Sequence, residues 1–359
     1  MNPRHWVDDM AARKPVIVDL FSGAGGMSTG FEMAGFRVAL GVEYIPRFSE
    51  TFAKNHEDAI AICGDIREVK NSDIEEKLDG QEIDVVVGGP PCQGFSKAGR
   101  RDQKDPRNSL FMDFIRVVGL LKPKYFVMEN VPGILTMKNA EDELVIDIIM
   151  NEFKKIGYYV EWKKLLASNY GVPQNRRRVI FLGTPMDENG RPYRTISYPQ
   201  ITHVSSTKLK QPTLEIGLPK LQPFVGVGTV LSDEKEVDAS FFHTEAMIEG
   251  FKRRKAKNVA EGKGFGWQIL KHDKPSYTLS ARYWKDGSDA IVQHGNRYRM
   301  LTLKEAAAIQ SFPPDYEFCG SKRDVYTQIG NAVPCLLAKA IADELKSKIN
   351  LESREPHVK

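Results

Sequence analysis

The sequence predicts an α/β fold, in which a doubly wound, mostly parallel sheet is joined by a second, smaller, irregular and β-rich domain. Two observations lead to this prediction. Through residues 1–185, short apolar segments alternate with longer amphipathic ones, as strands and helices do around such a sheet. Residues 186–298 begin with a stretch rich in Pro, Ser, Thr and Lys and lose the alternation, which returns at 299–350 before a polar tail at 351–359.

Six segments of the first part are short, rich in β-branched or aromatic residues and bounded by glycine, proline or acidic residues, which is typical of strands. Helix-like stretches such as GMSTGFEMAG and SLFMDFIRVVGLL separate them. Crossover connections in a parallel sheet bring the carboxyl ends of the strands to one edge, where ligands bind. The predicted strands are residues 15–21, 36–44, 59–63, 83–89, 124–130 and 178–183.

Helical character returns near the end of the chain. Thr302 and Glu305 have the T-x-x-E spacing of a capping box, which predicts that a helix begins within residues 301–312. A last amphipathic helix is predicted over residues 334–347, and the closing residues ESREPHVK are expected to fray.

Composition and charge limit the function. The chain has 359 residues and a net charge of +4, which is weak support for a polyanionic partner. Its four cysteines are far apart and form no C-x-x-C pair, so neither a disulfide framework nor a zinc site is expected. No apolar run approaches the roughly 18 residues of a membrane span, and the N-terminus lacks the features of a signal peptide. A reducing, cytoplasmic setting is therefore expected.

Glycines and acids follow the first three predicted strands. Gly23 and Gly25 lie in a turn after the first strand, where the missing Cβ atoms let the backbone approach a ligand. Glu43 ends the second strand, where an acidic residue holds ribose hydroxyls in such folds, and Asp65 follows the third. The turn matches neither the dinucleotide pattern G-x-G-x-x-G nor a phosphate-binding loop. An adenosine-containing cofactor fits this set, although each residue alone is also compatible with an ordinary turn.

A cysteine stands at the end of the fourth predicted strand, in the segment VVVGGPPCQGFSKAGRR. Pro90 and Pro91 fix the backbone in front of Cys92, so this thiol is positioned rather than packed. The polar, basic segment after it is typical of a mobile loop over a polyanion. Glu129 ends the fifth, apolar strand, where burial should raise the pKa of the carboxyl group and suit it to proton donation.

Two arginines mark the start of the sixth predicted strand. Arg176 and Arg178 alternate and so share a face, whereas Arg177 points the other way. Paired guanidinium groups suit the recognition of an anion or a carbonyl group, and the alternative is a solvated basic edge. A cysteine, a carboxylic acid, two arginines and a cofactor turn are therefore expected at one edge of one sheet.

These motifs resemble those of the DNA (cytosine-5)-methyltransferases and occur in the order of that family. The resemblance spans roughly residues 15–185 and 297–347 and implies a Rossmann-like sheet that binds S-adenosylmethionine. It also implies a target-recognition domain at 186–298, followed by a hinge and a return to the first domain at 299–350. The matching segments are DLFSGAGG, Glu43, GDI, GGPPCQGFS, NSLF, ENVPG, QNRRRVI, RMLTLKEAAAIQSFP and QIGNAVP.

The resemblance implies that the Cys92 thiolate adds to C6 of a flipped-out cytosine, whose C5 is then methylated. Protonated Glu129 would bind N3, and Arg178 together with Arg176 would address O2. S-adenosyl-L-methionine would become S-adenosyl-L-homocysteine, without a metal. Ala332 stands where many family members have serine. The implied cofactor residues are Phe21, Gly23, Gly25, Glu43, Asp65, Ile66, Pro90, Leu110, Asn331 and Ala332.

The resemblance also implies contacts with DNA from two parts of the chain. The loop after Cys92 would close over the flipped base through Ser96, Lys97, Arg100 and Arg101. In the target-recognition part, a basic segment at 251–267 supplies Arg254 and Lys255, and Arg282 is the candidate for a bidentate contact with guanine.

Three functions agree with these motifs. The first is the modification methylase of a restriction–modification pair, which acts on double-stranded DNA at the nucleoid as a monomer. It would have a cognate endonuclease but no stable complex with it, and no membrane partner. The second is a tRNA cytosine-5 methyltransferase of the same fold, against which the DNA-like QGFS after Cys92 argues. The third is a non-enzymatic binder, against which the intact Cys92, Glu129 and Arg178 argue.

Overall fold

A computed structural model of the chain describes residues 13–91, 110–139, 141–209, 220–262 and 266–352. Within these ranges, seven strands form the central sheet in the order β3-β2-β1-β4-β5-β7-β6. Six of them correspond to the predicted segments. The strands are β1 Val16–Leu20, β2 Arg37–Glu43, β3 Ile60–Cys63, β4 Val85–Gly88, β5 Tyr125–Asn130, β6 Tyr158–Leu166 and β7 Arg177–Pro185.

The sheet is mostly parallel, as predicted, because neighbours among β1 to β5 run in the same direction. β7 pairs antiparallel with β5, and β6 pairs antiparallel with β7. The sequence pattern did not predict β6, since this edge strand exposes a run of residues in its middle, including Glu161 and Lys164. The strand order reverses between β1 and β4, which is where ligands bind in doubly wound sheets.

Helices cover both faces of the sheet, and alternate residues of each strand supply the two cores. Val16 and Val18 face the side covered by α3, α4 and α5, whereas Ile17 faces the side covered by α1, α2 and α10. None of the helices in the described ranges is long and apolar enough to cross a bilayer. The helices are α1 Gly26–Met33, α2 Pro46–Asn55, α3 Asn71–Leu78, α4 Leu110–Leu121, α5 Val145–Lys155, α6 Ser206–Leu209, α7 Glu245–Ala260, α8 Leu303–Ile309, α9 Lys322–Asn331 and α10 Cys335–Glu352.

Residues 186–298 have little regular strand in their described part, so the prediction that this part is β-rich is wrong. It holds the short strands β8 His203–Val204, β9 Gln222–Pro223 and β10 Val292–His294, and β10 pairs with β11 Arg297–Arg299. Its longest element is α7. Short polar side chains favour turns here: Asp233 accepts a bond from the N–H of the residue two positions on, and so does Asp238.

The last part of the chain has the predicted helices. Thr302 Oγ1 accepts a bond from the Glu305 N–H and Glu305 Oε2 accepts one from the Thr302 N–H, so the predicted capping box is confirmed at the start of α8. A third apolar cluster joins this part to the inserted residues, with Leu279 and Tyr283 packed near Tyr326. α10 then returns to the sheet, beside α1.

Candidate active site

A cavity of about 580 Å³ opens at the carboxyl ends of β1 to β5. This volume lies within the range that is usual for small-molecule sites. The turns after β1 to β4 and the last residues of β5 form its wall, and the end of α9 closes one side. The predicted cofactor residues that line it are Phe21, Gly23, Glu43, Asp65, Ile66, Pro90, Leu110, Asn331 and Ala332.

The glycine-rich turn divides two roles between its glycines. Gly23 has a φ of +57°, and a Cβ built there would meet nothing within 4 Å, so this position leaves open space at the cavity wall. Gly25 has a φ of +83° and does not line the cavity. A Cβ on Gly25 would lie 2.3 Å from His56 Nε2 and 2.8 Å from the Tyr316 hydroxyl oxygen. Gly25 therefore shapes the turn and lies outside the lining of the cavity.

The Glu43 carboxylate is held in a fixed orientation at the cavity wall. One oxygen accepts a bond from the Gly23 N–H at 2.9 Å, and the other accepts one from the Ile45 N–H at 2.8 Å. Burial raises the pKa of Glu43, although these backbone bonds oppose the shift. Each oxygen keeps a free lone pair, so the group can still accept hydrogen bonds from hydroxyls in the cavity.

Two other carboxylates at the wall have opposite environments. Asp65 is paired with Arg67, whose hydrogen bonds lower the pKa of the carboxyl group. Asp19 is buried under the cavity, where it accepts a bond from Ser28 Oγ at 2.7 Å, and burial raises its pKa to about 7. The sequence pattern pointed to Asp65 but not to Asp19 or Arg67, because an aspartate inside an apolar strand looks like an ordinary strand residue.

Glu129 and Arg178 meet at the edge of the cavity. Arg178 Nε lies 2.5 Å from Glu129 Oε1, and both side chains are nearly buried. The antiparallel pairing of β7 with β5 makes this possible, since it brings the start of β7 beside the end of β5. In an all-parallel sheet, Arg178 would lie at the opposite edge. The guanidinium group thus lies against the Glu129 carboxyl group, a pairing that the sequence pattern did not specify.

The end of β5 also holds the turn that precedes Cys92. Asn130 is buried, and its Nδ2 donates a bond to the Pro90 carbonyl oxygen at 3.0 Å. The sequence pattern did not single out this asparagine, because nothing local indicates that its partner lies 40 positions earlier. Four loop residues predicted to contact DNA also lie outside the described residues, as Cys92 itself does. They are Ser96, Lys97, Arg100 and Arg101.

Arg176 does not line the cavity, so the structure gives no support to the prediction that it addresses a bound base. It lies directly before β7, and only 1% of its surface is exposed. Its Nη1 donates to the Leu279 carbonyl oxygen at 2.9 Å, and its Nη2 donates to the Gly330 carbonyl oxygen at 2.8 Å. Backbone carbonyls thus occupy the two terminal nitrogens of the guanidinium group, while the buried Nε has no hydrogen-bond partner among the described residues. Burial, together with the neighbouring Arg178, lowers the pKa of Arg176.

The predicted DNA-contacting residues of the insert lie at its surface. Arg254 Nη1 is 2.7 Å from Asp286 Oδ2, with half of its side chain exposed, and Lys255 follows it on α7 in a half-buried position. Arg282 is exposed at the start of a short 3-10 helix. Within the described ranges, no group of three or more His, Cys, Asp or Glu residues is arranged to hold a metal ion.

Comparison with known proteins agrees with this geometry. The family model of the C-5 cytosine-specific DNA methylases matches residues 16–347. The chain is 34% identical to the type II methyltransferase M.DdeI of Desulfomicrobium norvegicum, over 92% of this chain and 88% of that protein. It is 36% identical to the type II methyltransferase M1.HphI of Haemophilus parahaemolyticus, over 91% of this chain and 85% of that protein.

Two solved structures share the fold. The Entamoeba histolytica methyltransferase EhMeth superimposes with a TM-score of 0.69 at 17% identity, over 94% of this chain and 99% of that one. The Dnmt2 methyltransferase of S. pombe gives a TM-score of 0.66 at 18% identity, over 94% of this chain and all of the other. At these identities the likeness concerns the fold, and it includes the mostly parallel sheet with its flanking helices.

Proposed function

The chain belongs to the C-5 cytosine-specific DNA methylases, and from this premise we propose how its residues methylate C5 of cytosine in DNA. It is the modification methyltransferase of a type II restriction–modification system. The family description and the names of the relatives refer to DNA modification and to methyltransferases, which favours DNA over tRNA and an enzyme over a binder. The observation that carries the mechanism is the Glu129–Arg178 pair beside the turn that leads to Cys92.

S-adenosylmethionine fits the cavity of about 580 Å³, and its sulfonium centre supplies, when bound, the methyl group that C5 acquires. The fit is supported by the Glu43 carboxylate, which has free lone pairs for the ribose hydroxyls, and by the open space at Gly23. Asp65 and Ile66 would hold the adenine, and Leu110 would pack against it. Phe21, Pro90, Asn331 and Ala332 complete the proposed cofactor set.

Cys92 is the proposed nucleophile. Its thiolate adds to C6 of cytosine, and the electron pair that this releases makes C5 reactive. A free thiol has a pKa of about 8.5 and is only a few per cent ionised at neutral pH. The attack of Cys92 on C6 must therefore be assisted by groups that bind the cytosine ring. Hydrogen bonding of the Glu129 carboxyl group to N3 would stabilise the charge that develops there, while Arg178 would bind O2. Loss of the C5 proton and departure of Cys92 restore the aromatic ring.

Glu129 must change partners in this proposal. Its carboxyl group lies against the Arg178 guanidinium in the structure, whereas a hydrogen bond to the unprotonated N3 requires the carboxylic acid. A bound cytosine would draw Arg178 towards O2 and leave the Glu129 carboxyl group to N3. Arg178 therefore has two alternative partners, Glu129 without substrate and the base with it.

Access to the cavity requires that the cytosine leave the duplex, which costs a few kcal/mol. We infer that the loop after Cys92 contributes to this through Ser96, Lys97, Arg100 and Arg101. The target-recognition function is assigned to residues 186–298, with Arg254 and Lys255 at the phosphates and Arg282 at a guanine. The chain would act as a monomer, without a stable complex with a cognate endonuclease.

Bisulfite sequencing of a plasmid from cells that express the protein tests the whole proposal. We expect unconverted cytosines at one recurring short sequence, and their loss in Cys92→Ser. The pattern also reveals the recognised sequence and the methylated position. Random protection, or none at all from a folded protein, would contradict the assignment.

A further inference from the structure

The carbonyl groups at the end of α9 are bound by two buried side chains from elsewhere in the chain. The last carbonyls of a helix have no partner within the helix and need one from outside. Gln310 Nε2 donates to two of them, at 2.6 Å and 3.1 Å, and Arg176 Nη2 donates to the two between, at 2.8 Å and 3.4 Å. In chain order the four acceptors are Ile329, Gly330, Asn331 and Ala332.

Arg176 and its neighbour Gln174 also bind the backbone of Leu279 in the insert. Arg176 Nη1 donates to the Leu279 carbonyl oxygen at 2.9 Å. Gln174 bridges the other side, because its Oε1 accepts from the Leu279 N–H at 3.0 Å while its Nε2 donates to Gln310 Oε1 at 2.9 Å. Both polar groups of the Leu279 backbone are thus held by the short segment in front of β7.

The contact between the insert and α9 leaves no space for adjustment. A Cβ on Gly330 would lie 2.4 Å from the backbone carbonyl of Ser280. Arg176, Gln174 and Gln310 are each 1% exposed or less. A buried polar group without a partner is costly, so each of these bonds restrains the position of the elements that it joins. A cation is also favourable at a helix carboxyl end, where the helix dipole is negative.

The end of α9 also forms part of the cavity. Asn331 and Ala332 line its wall, and Arg178, two residues after Arg176, pairs with Glu129 at its edge. We propose that Arg176 is a positioning residue: with Gln310 it fixes the end of α9, and so the Asn331–Ala332 wall of the cavity, against both β7 and Leu279. This inference rests on the proposed function for the identity of the cofactor and of the substrate.

The test compares Arg176→Lys and Gln310→Met with the matched control Arg177→Lys, whose side chain is exposed. Each full-length protein is titrated with S-adenosylmethionine by calorimetry without DNA, and its kcat and KM for DNA are then measured. Loss of charged and neutral hydrogen bonds to the helix end should raise the Kd for S-adenosylmethionine about 10-fold in both variants. Arg176→Lys should also raise the KM for DNA, through Leu279, while kcat at saturation falls about 3-fold or less. The control should match the wild type.

A direct role in chemistry would give a different result. If Arg176→Lys lowers kcat about 100-fold with an unchanged Kd for S-adenosylmethionine and an unchanged KM for DNA, Arg176 acts on the base and the inference is wrong. Gln310→Met keeps the length of the side chain and tests the inference if Arg176→Lys does not fold. A Gln310→Met protein with the wild-type affinity for S-adenosylmethionine would also overturn the inference. Because cofactor binding is measured without DNA, a wild-type protein that binds S-adenosylmethionine but methylates no DNA counts against the proposed function alone.

Discussion

The central sheet and the insert hold their polar groups in different ways. At the sheet edge, Glu43 and Glu129 lie at the ends of strands whose apolar residues pack on both faces, so apolar packing and the ladder pairing of the strands fix where these ends lie. Residues 186–298 have few such strands. At their junction with the last part of the chain, polar and aromatic contacts accompany the third apolar cluster. Glu305, which forms a buried ion pair with Arg299, accepts a bond from the Ser232 N–H at 2.8 Å, and the Arg323 guanidinium lies 4.6 Å from the centre of the Trp284 ring.

This difference predicts two kinds of response to substitution. A polar residue at the sheet edge is positioned by its neighbours, so its replacement should change the chemistry more than the fold. A buried polar residue at the junction of the insert is itself part of what holds the elements together, so its replacement should reduce stability. A residue exposed at the surface of the insert should change stability least of all.

Glu129→Gln should have the largest effect of these substitutions, and the effect should be on activity rather than on stability. Glutamine keeps the size of the side chain but cannot supply a proton to N3 or pair electrostatically with Arg178. Loss of a general acid typically lowers kcat about 10²–10⁴-fold, and we expect a value in this range with an unchanged Kd for S-adenosylmethionine. Single-turnover methyl transfer to DNA measures the loss of rate, and calorimetry measures the Kd for S-adenosylmethionine.

Glu161→Gln is the matched control for that variant, because Glu161 is exposed on β6 of the same sheet. It should retain wild-type kcat. A Glu129→Gln protein that loses more unfolding free energy than an Arg299→Met protein would break the comparison, since Glu129 would then be a structural residue of the sheet.

Arg299→Met should destabilise the protein by about 3–5 kcal/mol, because removing one partner of a buried ion pair leaves the other charge unpaired. Arg299 Nη1 and Nη2 bind the two oxygens of Glu305 at 2.7 Å and 2.8 Å, and neither side chain is more than 1% exposed. Arg297→Met is the control: its pair with Glu234 is partly exposed, and such pairs contribute about 0–1 kcal/mol. Equal urea midpoints for the two variants would contradict the structural role of the buried pair.

Asp19→Asn should change how stability depends on pH. Burial raises the pKa of Asp19 to about 7 in the folded protein, above its value of 3.8 when unfolded. Between these values the folded state holds a proton that the unfolded state has lost, so the free energy of unfolding falls as the pH rises. Asp19 alone should remove about 2 kcal/mol between pH 5 and pH 7, since one pKa unit corresponds to about 1.4 kcal/mol and Asp19 is half ionised in the folded state near pH 7.

Asparagine can still accept the Ser28 hydrogen bond but does not titrate, so the variant should lose less stability over this range than the wild type. Urea denaturation at pH 5, 6, 7 and 8 measures the difference. Parallel curves for the two proteins would mean that Asp19 is already ionised at pH 5 in the folded state. Asp19 is thus a polar residue of the sheet whose burial opposes folding at neutral pH.

The extent to which the sequence predicts each region depends on the same difference. Strand positions and the α8 capping box depend on local periodicity and spacing, and the structure confirms them. The partners of Arg176 lie 103 and 154 positions away, so no local pattern could distinguish its buried donors from those of Arg178. The direction of β7 was equally hidden, because an apolar strand reads the same in a parallel and an antiparallel pairing. In the insert, bonds between distant turns replace periodicity, and its strand content was overestimated.

The smallest effect on stability, about 0–1 kcal/mol, is expected for Arg254→Gln at the surface of the insert, because its pair with Asp286 is half exposed. Its effect on DNA binding should be clearer. If Arg254 exchanges Asp286 for a phosphate when DNA binds, the variant should weaken binding and reduce the slope of log K against log[salt] by about 1. Asp286→Asn should act in the opposite direction and tighten binding, since it frees Arg254 beforehand. Fluorescence anisotropy with labelled duplex DNA at low and at physiological salt measures the DNA affinity of both variants. Unchanged affinity in both variants would show that the ion pair survives in the complex and that Arg254 belongs to the framework of the insert.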